Sequence, residues 1–404
     1  MNGPQSTGLQ VDRIRNHVHS FENQKVVITG GGGFFGMHLG RMLYSLGADV
    51  LLVDIRPPIQ DVNDGIKFIQ GDVRDRNFIF QVCRGASCVF HLASYGMSGK
   101  EQLRGNEFIE SVNVGSTQSM IDACCELGIS RLVYTSTLNV IFGGQDIRNG
   151  DETLPILPLD KHKDHYSRTK SMAEQLVIKA NGKAIKGGKK LCTCAIRPPG
   201  IYGVGETRHL PRIVEMMEAG LTMFKIGGPD ILIEWVHVDN LAAGHVLAAD
   251  RLSESKQHIA AGEVYFISDG KPVNQFEWLR PLYHGLGISF PSLSVPYIVM
   301  YYVGLLVEWV HFIVKPFYNF QPLITRTELF QVAVTHYFNL EKASRHLGYE
   351  PIDHDIADIV EHFQKLKLKR KRRQPSAVSY WLINFVIAAM FAVMLLSFLP
   401  MVTT

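Results

Sequence analysis

The chain has 404 residues, of which 46% are hydrophobic and 20% are charged, so it is long enough for one large globular domain or two smaller ones. Its formal net charge is +3, but residues 365–373 (KLKLKRKRR) carry seven basic side chains and leave the remainder slightly acidic. This distribution excludes a general basic face for binding nucleic acid.

The two ends of the chain differ in character. Residues 1–23 are polar and contain no apolar signal-peptide core, so we expect a disordered leader. Residues 378–402 are almost uninterrupted apolar sequence, long enough to cross a hydrocarbon core of ~30 Å. Because positive flanks stay in the cytosol, we predict a basic juxtamembrane linker at 365–377 and a transmembrane tail anchor at 378–402. We expect the anchor in the endoplasmic reticulum membrane, with the large domain facing the cytosol.

The first predicted strand, at residues 26–29, runs into a glycine turn that is followed by an apolar helical pattern. A helix N-terminus offers free N–H groups and a partial positive charge, so this arrangement predicts a pyrophosphate site. Gly30 permits the turn, Gly33 lets a phosphate approach the backbone, and Gly36 lets the helix pack on the strand.

Strand and helix patterns then alternate along residues 24–205. This alternation predicts an α/β domain with a doubly wound parallel sheet of the Rossmann type. Further strands are predicted at 49–54, 66–70, 88–92, 131–136 and 191–197, with helices at 115–127 and 166–179.

The six cysteines (Cys83, Cys88, Cys124, Cys125, Cys192 and Cys194) all fall in this half of the chain. They lack zinc-ligand spacing, and the Cys124-Cys125 and Cys192–Cys194 segments match a core helix and a core strand. We therefore expect reduced cysteines and no metal site.

After residue 205 the pattern becomes irregular, and we predict a substrate-capping region at 206–364 that is interleaved with the sheet domain. Short strands are predicted at 231–238 and 263–268, and helices at 210–218, 241–252 and 341–347. Within this region, residues 295–314 are strongly apolar. A second membrane span is one alternative, but Glu308 and His311 interrupt it. We favour a segment that dips into one leaflet or packs on the domain.

Two carboxylates follow strands of the predicted sheet. Asp54 ends the second strand, where a carboxylate accepts the ribose hydroxyls of the cofactor and repels a 2′-phosphate, which favours NAD over NADP. Arg56, two residues on, leaves NADP as an alternative. Asp72 follows the third strand, where it could accept a hydrogen bond from the adenine amino group.

The spacing of Tyr166 and Lys170 predicts the reaction chemistry. Residues four apart share a helix face, and a nearby ammonium favours the phenolate, so Tyr166 could exchange a proton with an alcohol or carbonyl oxygen. Thr137, just past the fifth strand, could donate a hydrogen bond to the reacting oxygen, and Ser136 is the competing hydroxyl. Asn113 could hold a water for proton relay, or simply cap the helix that follows.

Together these motifs resemble those of the extended short-chain dehydrogenases/reductases, in family order over residues 25–350. Within that superfamily the chain is similar to the 3β-hydroxysteroid dehydrogenase branch, and most similar to family 42E. The matching segments are Thr29–Gly36, Gly71–Asp75, Ala93–Gly99, Tyr134–Thr137, Asp164–Lys170, Arg197–Gly203, His237–Ala242 and Tyr265–Gly270.

The resemblance implies a role for each candidate residue. Tyr166 would be the acid/base and Thr137 the substrate-oxygen donor. Lys170 would activate the tyrosine and bind the nicotinamide ribose, and Asn113 would relay the proton. The resemblance also places Phe34 and Pro199 in the cofactor site. It implies a homodimer through the helices that carry Gly115 and Tyr166.

These observations predict an NAD-dependent oxidoreductase that interconverts a secondary alcohol and a ketone on a lipophilic steroid or sterol, with an isomerase step as an open question. One alternative is a nucleotide-sugar epimerase or reductase, for which Arg208 and Arg212 could bind the diphosphate. Elimination chemistry is disfavoured, because Leu138 and Asn139 stand where nucleotide-sugar dehydratases carry acidic residues. The other alternative is a catalytically silent, NAD-sensing scaffold at the membrane.

Overall fold

A seven-stranded parallel sheet lies at the centre of the protein, in a computed structural model that describes residues 5–15, 17–62, 65–97, 101, 105–314 and 326–370. The strands are β1 (Lys25–Thr29), β2 (Asp49–Asp54), β3 (Lys67–Gln70), β4 (Cys88–His91), β5 (Arg131–Thr135), β6 (Ile147–Gly150), β7 (Cys192–Arg197), β8 (Gly200–Tyr202), β9 (Phe224–Ile226), β10 (Trp235–His237), β11 (Val264–Phe266), β12 (Leu293–Val295) and β13 (His336–Phe338).

The helices complete the fold on both faces of this sheet and in the capping region. They are α1 (Gln5–Arg15), α2 (Phe34–Ser45), α3 (Arg76–Cys83), α4 (Asn106–Glu110), α5 (Ser116–Leu127), α6 (His165–Ala180), α7 (Leu210–Glu218), α8 (Val238–Arg251), α9 (Gln275–Gly285), α10 (Tyr297–Val314), α11 (Arg326–Ala333), α12 (Glu341–Leu347) and α13 (Ala357–Arg370). A π-helical turn, Ser111–Gly115, joins α4 to α5.

The strand order in the sheet is β3-β2-β1-β4-β5-β7-β11, and every neighbouring pair is parallel. The order reverses between β1 and β4, and such a reversal opens a crevice at the carboxyl ends of the strands. The predicted Rossmann-type sheet is therefore confirmed. Its predicted strands begin and end within two residues of the observed ones.

Side chains alternate across the sheet and build one core on each face. In β1, Val26 and Ile28 pack with α2 and α8, whereas Val27 packs with α3, α5 and α6. None of the six cysteines is in a disulfide. Five of them are buried and Cys125 is partly buried against the core, so they serve as small apolar packing residues. Burial raises the pKa of each thiol.

The expectation of a disordered leader over residues 1–23 is wrong for the residues that the structure describes. Helix α1 packs beside α8, and Val11, Ile14, Val18 and Phe21 are buried in the main core. Val11 and Ile14 lie one turn apart on α1, whereas Val18 and Phe21 follow the helix. The polar composition of this segment conceals these apolar positions.

Part of the predicted capping region belongs to the main sheet. The predicted strand at 263–268 is β11, the edge strand of the main sheet, and the predicted helix at 241–252 begins earlier, at Val238, and packs on it. The strand predicted at 231–238 is limited to β10. The cap has its own core, formed by α7, α9 and α13.

The apolar segment at 295–314 forms α10, whose Tyr297, Met300 and Tyr301 pack against α11. Among the described residues, no helix is long and apolar enough to cross a membrane. The predicted anchor at 378–402 lies outside the described residues. The predicted linker at 365–377 is helical at its start, since α13 continues to Arg370.

The buried position of Phe21 gives a test of the packed leader. Its ring is fully buried near the ring of Phe90, so we expect Phe21→Ala to destabilise the protein by about 3–5 kcal/mol. Chemical unfolding followed by circular dichroism measures this change. The control is Ile59→Ala at a residue that is 45% exposed, which should change stability little. Equal stability of the two variants would contradict the packing of the leader.

Candidate active site

The glycine turn has the backbone geometry that the spacing predicts. Gly30 adopts a φ of +71°, and a Cβ there would lie 3.0 Å from the Ala93 nitrogen. A Cβ on Gly36 would clash with the Gly30 oxygen. Both positions therefore require glycine for reasons of backbone conformation or close approach.

Gly33 differs, because the protein itself leaves room beside it. A Cβ on Gly33 would meet only the Gly30 oxygen, at 3.3 Å. Helix α2 begins at the next residue, and within the described part of the chain no side chain caps its N-terminus. The open approach and the uncapped N–H groups fit a pyrophosphate.

Asp54 lies beside this turn, at the end of β2. Its carboxylate accepts hydrogen bonds from the Gly32 nitrogen at 3.2 Å and from the Arg56 nitrogen at 3.1 Å. These bonds hold the carboxylate next to the uncapped end of α2, and its predicted contact with the cofactor ribose stays a prediction.

Asp72 is already paired. The Arg74 guanidinium bonds to both carboxylate oxygens, with its Nη2 2.6 Å from Oδ2, and these bonds lower the pKa of Asp72. Its predicted hydrogen bond to adenine stays a prediction. Phe34, the first residue of α2, contacts His38 edge-on, and Pro199 lies half-buried between β7 and β8.

Helix α6 brings Tyr166 and Lys170 into the same buried region. Its N-terminus is fixed by Asp164, whose side chain accepts hydrogen bonds from the Ser167 nitrogen at 2.7 Å and the Ser167 hydroxyl at 2.8 Å. Tyr166 and Lys170 follow one turn apart, and both are buried. A tyrosine and a lysine that are both removed from water on one helix are consistent with a reactive pair.

The surroundings of Tyr166 decide how easily it ionises. Burial raises the pKa of its phenol to about 12, while the Arg208 charge and a hydrogen bond with Ser94 oppose this shift. The sequence suggests Arg208 only as a diphosphate ligand in the sugar-nucleotide alternative, and its influence on Tyr166 is not predicted. Sequence gives no signal for it, because the fold of the cap alone brings residue 208 towards α6.

Lys170 is held at the end of β5. Its Nζ donates to the Thr135 carbonyl at 2.5 Å and lies 4.1 Å from the centre of the Tyr134 ring. Burial lowers the pKa of Lys170 to about 7, whereas the Glu174 carboxylate one turn on raises it. The carbonyl and the ring face both favour the charged ammonium.

Asn113 is neither a helix cap nor exposed. It lies in the π-helical turn, a feature that is frequent at functional sites. Its side-chain oxygen accepts from the Tyr95 nitrogen at 2.8 Å, and its amide donates to the Tyr95 oxygen at 2.9 Å and the Thr169 hydroxyl at 2.8 Å. Asn113 thus joins the loop after β4 to the helix that carries Tyr166.

The two candidate hydroxyls after β5 have different surroundings. Thr137 Oγ1 accepts from the Asn139 nitrogen at 3.3 Å and begins a short 3-10 turn. Ser136 is buried, and its Oγ has no hydrogen-bond partner among the described residues. An unpaired buried hydroxyl is costly, so Ser136 stays a candidate donor alongside Thr137.

The parallel sheet, the glycine turn and the Tyr166–Lys170 pair define an extended short-chain dehydrogenase/reductase, a class of NAD(P)-dependent oxidoreductases. Within the described residues, no cluster of His, Cys, Asp and Glu could hold a metal ion.

Comparison with known proteins agrees with this class. The model of the 3-beta hydroxysteroid dehydrogenase/isomerase family matches residues 27–297. A Danio rerio protein named short-chain dehydrogenase/reductase family 42E member 1 is 52% identical over 382 residues, which cover 94% of this chain and 98% of that protein. The Mus musculus protein of the same name is 56% identical over 348 residues, covering 85% and 88%. The chain belongs to the 3-beta hydroxysteroid dehydrogenase/isomerase family and, within it, to family 42E.

More distant proteins share the fold. The 3beta-hydroxysteroid-dehydrogenase/decarboxylase isoform 2 of Arabidopsis thaliana is 34% identical over 376 residues, covering 87% of this chain and 64% of that protein. A double mutant of the dTDP-glucose 4,6-dehydratase DesIV from Streptomyces venezuelae, solved with NAD bound, superposes with a TM-score of 0.62 at 21% identity, covering 84% of this chain and 96% of its own.

The glycine geometry predicts unequal effects of two alanine substitutions. Gly36→Ala should weaken NAD binding by about tenfold or more, because the new Cβ forces the turn to move. Gly115→Ala should leave binding near normal, because no atom lies within 4 Å of a Cβ there and the backbone is helical. Titration with NAD, followed by tryptophan fluorescence, measures both. Normal binding by Gly36→Ala would show that the turn does not hold the cofactor.

Proposed function

We propose that the protein is a membrane-associated, NAD-dependent oxidoreductase that interconverts a secondary alcohol and a ketone on a steroid or sterol. The observation that carries the proposal is the burial of Tyr166 and Lys170 on α6, in a fold whose glycine turn fits a dinucleotide. The family description and the name of the Arabidopsis relative support the substrate class.

Tyr166 would take the proton of the alcohol in oxidation and return it in reduction. Because burial raises its pKa to about 12, the phenolate needs a positive charge nearby, and Lys170 and Arg208 are the candidates. When bound, the nicotinamide supplies the hydride exchange. Lys170 would also hold the nicotinamide ribose.

The remaining candidates would orient the reacting groups. A hydroxyl after β5, from Thr137 or Ser136, would donate a hydrogen bond to the substrate oxygen. Asn113 would fix the loop after β4 against α6. This structural role would add to the proton relay predicted for Asn113.

Asp54 supports NAD rather than NADP, because a 2′-phosphate would approach a carboxylate that the backbone holds in place. Separate titrations with NAD and NADP test this preference, and tighter binding of NADP would refute the role of Asp54.

The two alternatives have less support. Arg212 forms an ion pair with Glu328, and Arg208 lies 3.6 Å from Glu101, so both arginines considered for a sugar nucleotide already have acidic partners. A silent scaffold would not need a buried tyrosine and lysine one turn apart.

We also propose that the cap contacts the cytosolic face of the endoplasmic reticulum membrane in addition to the tail anchor. One side of α10 packs on the cap, but Ile298, Tyr302, Leu306 and Trp309 repeat at helical spacing and are 41–63% exposed. An apolar helix side with tyrosine and tryptophan suits the lipid interface. The basic run begins on α13, where Lys367 Nζ donates to the Leu286 oxygen at 2.6 Å.

The proposed chemistry predicts the effect of removing one oxygen. Tyr166→Phe should abolish turnover, because no group remains to exchange the proton, while NAD binding stays near normal. The measurement is mass spectrometry of sterols and steroids incubated with the membrane-bound protein and NAD, including isomerised ketones among the products. Unchanged turnover by Tyr166→Phe would refute the mechanism.

The membrane proposal predicts a stepwise release. Removal of residues 378–404 should weaken but not abolish flotation with vesicles, and adding Leu306→Ser and Trp309→Ser should release the shortened protein. The control adds Ile59→Ser and Ile69→Ser, two exposed isoleucines away from α10, and should still float. Full release by the truncation alone would exclude a second contact.

A further inference from the structure

A buried chain of hydrogen bonds crosses the sheet at the end of β5. It starts at Lys170 Nζ, which donates to the Thr135 carbonyl at 2.5 Å. The hydroxyl of the same threonine lies 2.7 Å from His245 Nε2, and His245 Nδ1 lies 2.9 Å from the Leu241 oxygen. These contacts link α6 on one face of the sheet to α8 on the other.

The direction of each bond follows from the groups involved. A carbonyl oxygen only accepts, so His245 Nδ1 carries the proton that bonds to the Leu241 oxygen. Nε2 of the neutral ring then accepts from the Thr135 hydroxyl. Burial lowers the pKa of His245 to about 4, so the ring remains neutral and this pattern persists at physiological pH.

We propose that His245 is a positioning residue for the reaction: through the Thr135 hydroxyl it fixes the orientation of the Thr135 carbonyl on which the Lys170 ammonium rests. The Thr135–Ser136 peptide group is held on its N–H side by the bond from the Ser136 nitrogen to the Ile196 oxygen at 2.7 Å. The bond from the Thr135 hydroxyl to His245 holds the same residue through its side chain. The Phe35 ring, 4.8 Å from the imidazole, packs edge-on and limits its movement. The inference rests on the Tyr166–Lys170 chemistry proposed above but not on the identity of the substrate.

The groups that face Lys170 lie on three elements. Glu174 is on α6, the Tyr134 ring is on β5, and His91, fully buried on β4, interacts with the charge of Lys170. His245 lies behind β5, on the α8 side. Substitutions at His245 or at the Thr135 hydroxyl therefore retain these three groups and act on the support of the carbonyl.

The test is an NMR titration of the full-length, NAD-free protein carrying 13C-labelled lysine. Because burial lowers the pKa of Lys170 to about 7, we expect its signal to titrate apart from those of ordinary lysines, and the signal is assigned by its loss in Lys170→Met. We expect Thr135→Val and His245→Leu each to lower the Lys170 pKa by about half a unit or more, because a misaligned carbonyl favours the ammonium less. His245→Gln, whose amide can accept from the Thr135 hydroxyl, should restore most of the difference.

Two comparisons separate positioning from general disturbance. His336 is also buried and bonded through Nδ1 to a carbonyl, that of Val334 at 2.8 Å, but it lies in the cap, so His336→Gln should leave the Lys170 pKa unchanged. The Thr135→Val/His245→Leu double variant should shift the pKa no further than either single variant.

Thr135→Val replaces only the hydroxyl with a methyl group. An unchanged Lys170 pKa in this variant would overturn the proposal, even if His245→Leu fails to fold. Additive shifts in the double variant would overturn it as well. Failure of the protein to convert any sterol would refute the proposed substrate class and leave this titration unaffected.

Discussion

The hydrogen bond from the Lys170 ammonium to the Thr135 carbonyl is the contact on which the candidate site depends. A buried ammonium needs an acceptor, and the parallel sheet supplies one by ending β5 beneath α6. The same edge of the sheet carries the glycine turn after β1 and the loop after β4 that Asn113 holds. A shift of β5 would therefore move the acceptor of the lysine relative to the cofactor turn and to the helix that carries Tyr166.

The parts of the fold that follow from short stretches of sequence were predicted well. The glycine turn is determined by steric limits within seven residues, since Gly30 and Gly36 approach each other closely. The Tyr166–Lys170 relation needs only a helix, and Asp164 fixes where that helix begins. For the same reason the strands of the sheet, which are short apolar runs bounded by turns, lie close to their predicted positions.

Contacts between distant residues could not be predicted. Asn113 gains its partners from residue 95 and residue 169, and His245 meets Thr135 across 110 positions. A single sequence contains no information on which side chains such elements bring together. The packed leader is a different case, because its apolar residues recur every three or four positions in the sequence, and its polar composition led to the wrong expectation.

The proposal that oxidation occurs at a sterol carbinol is tested most directly by isotope transfer. A sterol with deuterium on its secondary carbinol carbon is incubated with NAD and the full-length protein, and both products are analysed by mass spectrometry. The account predicts one deuterium on the nicotinamide ring for each ketone formed, and neither product with Tyr166→Phe. The account would be contradicted if the wild-type protein, under conditions in which NAD is bound, left the sterol unconverted and the nucleotide unlabelled.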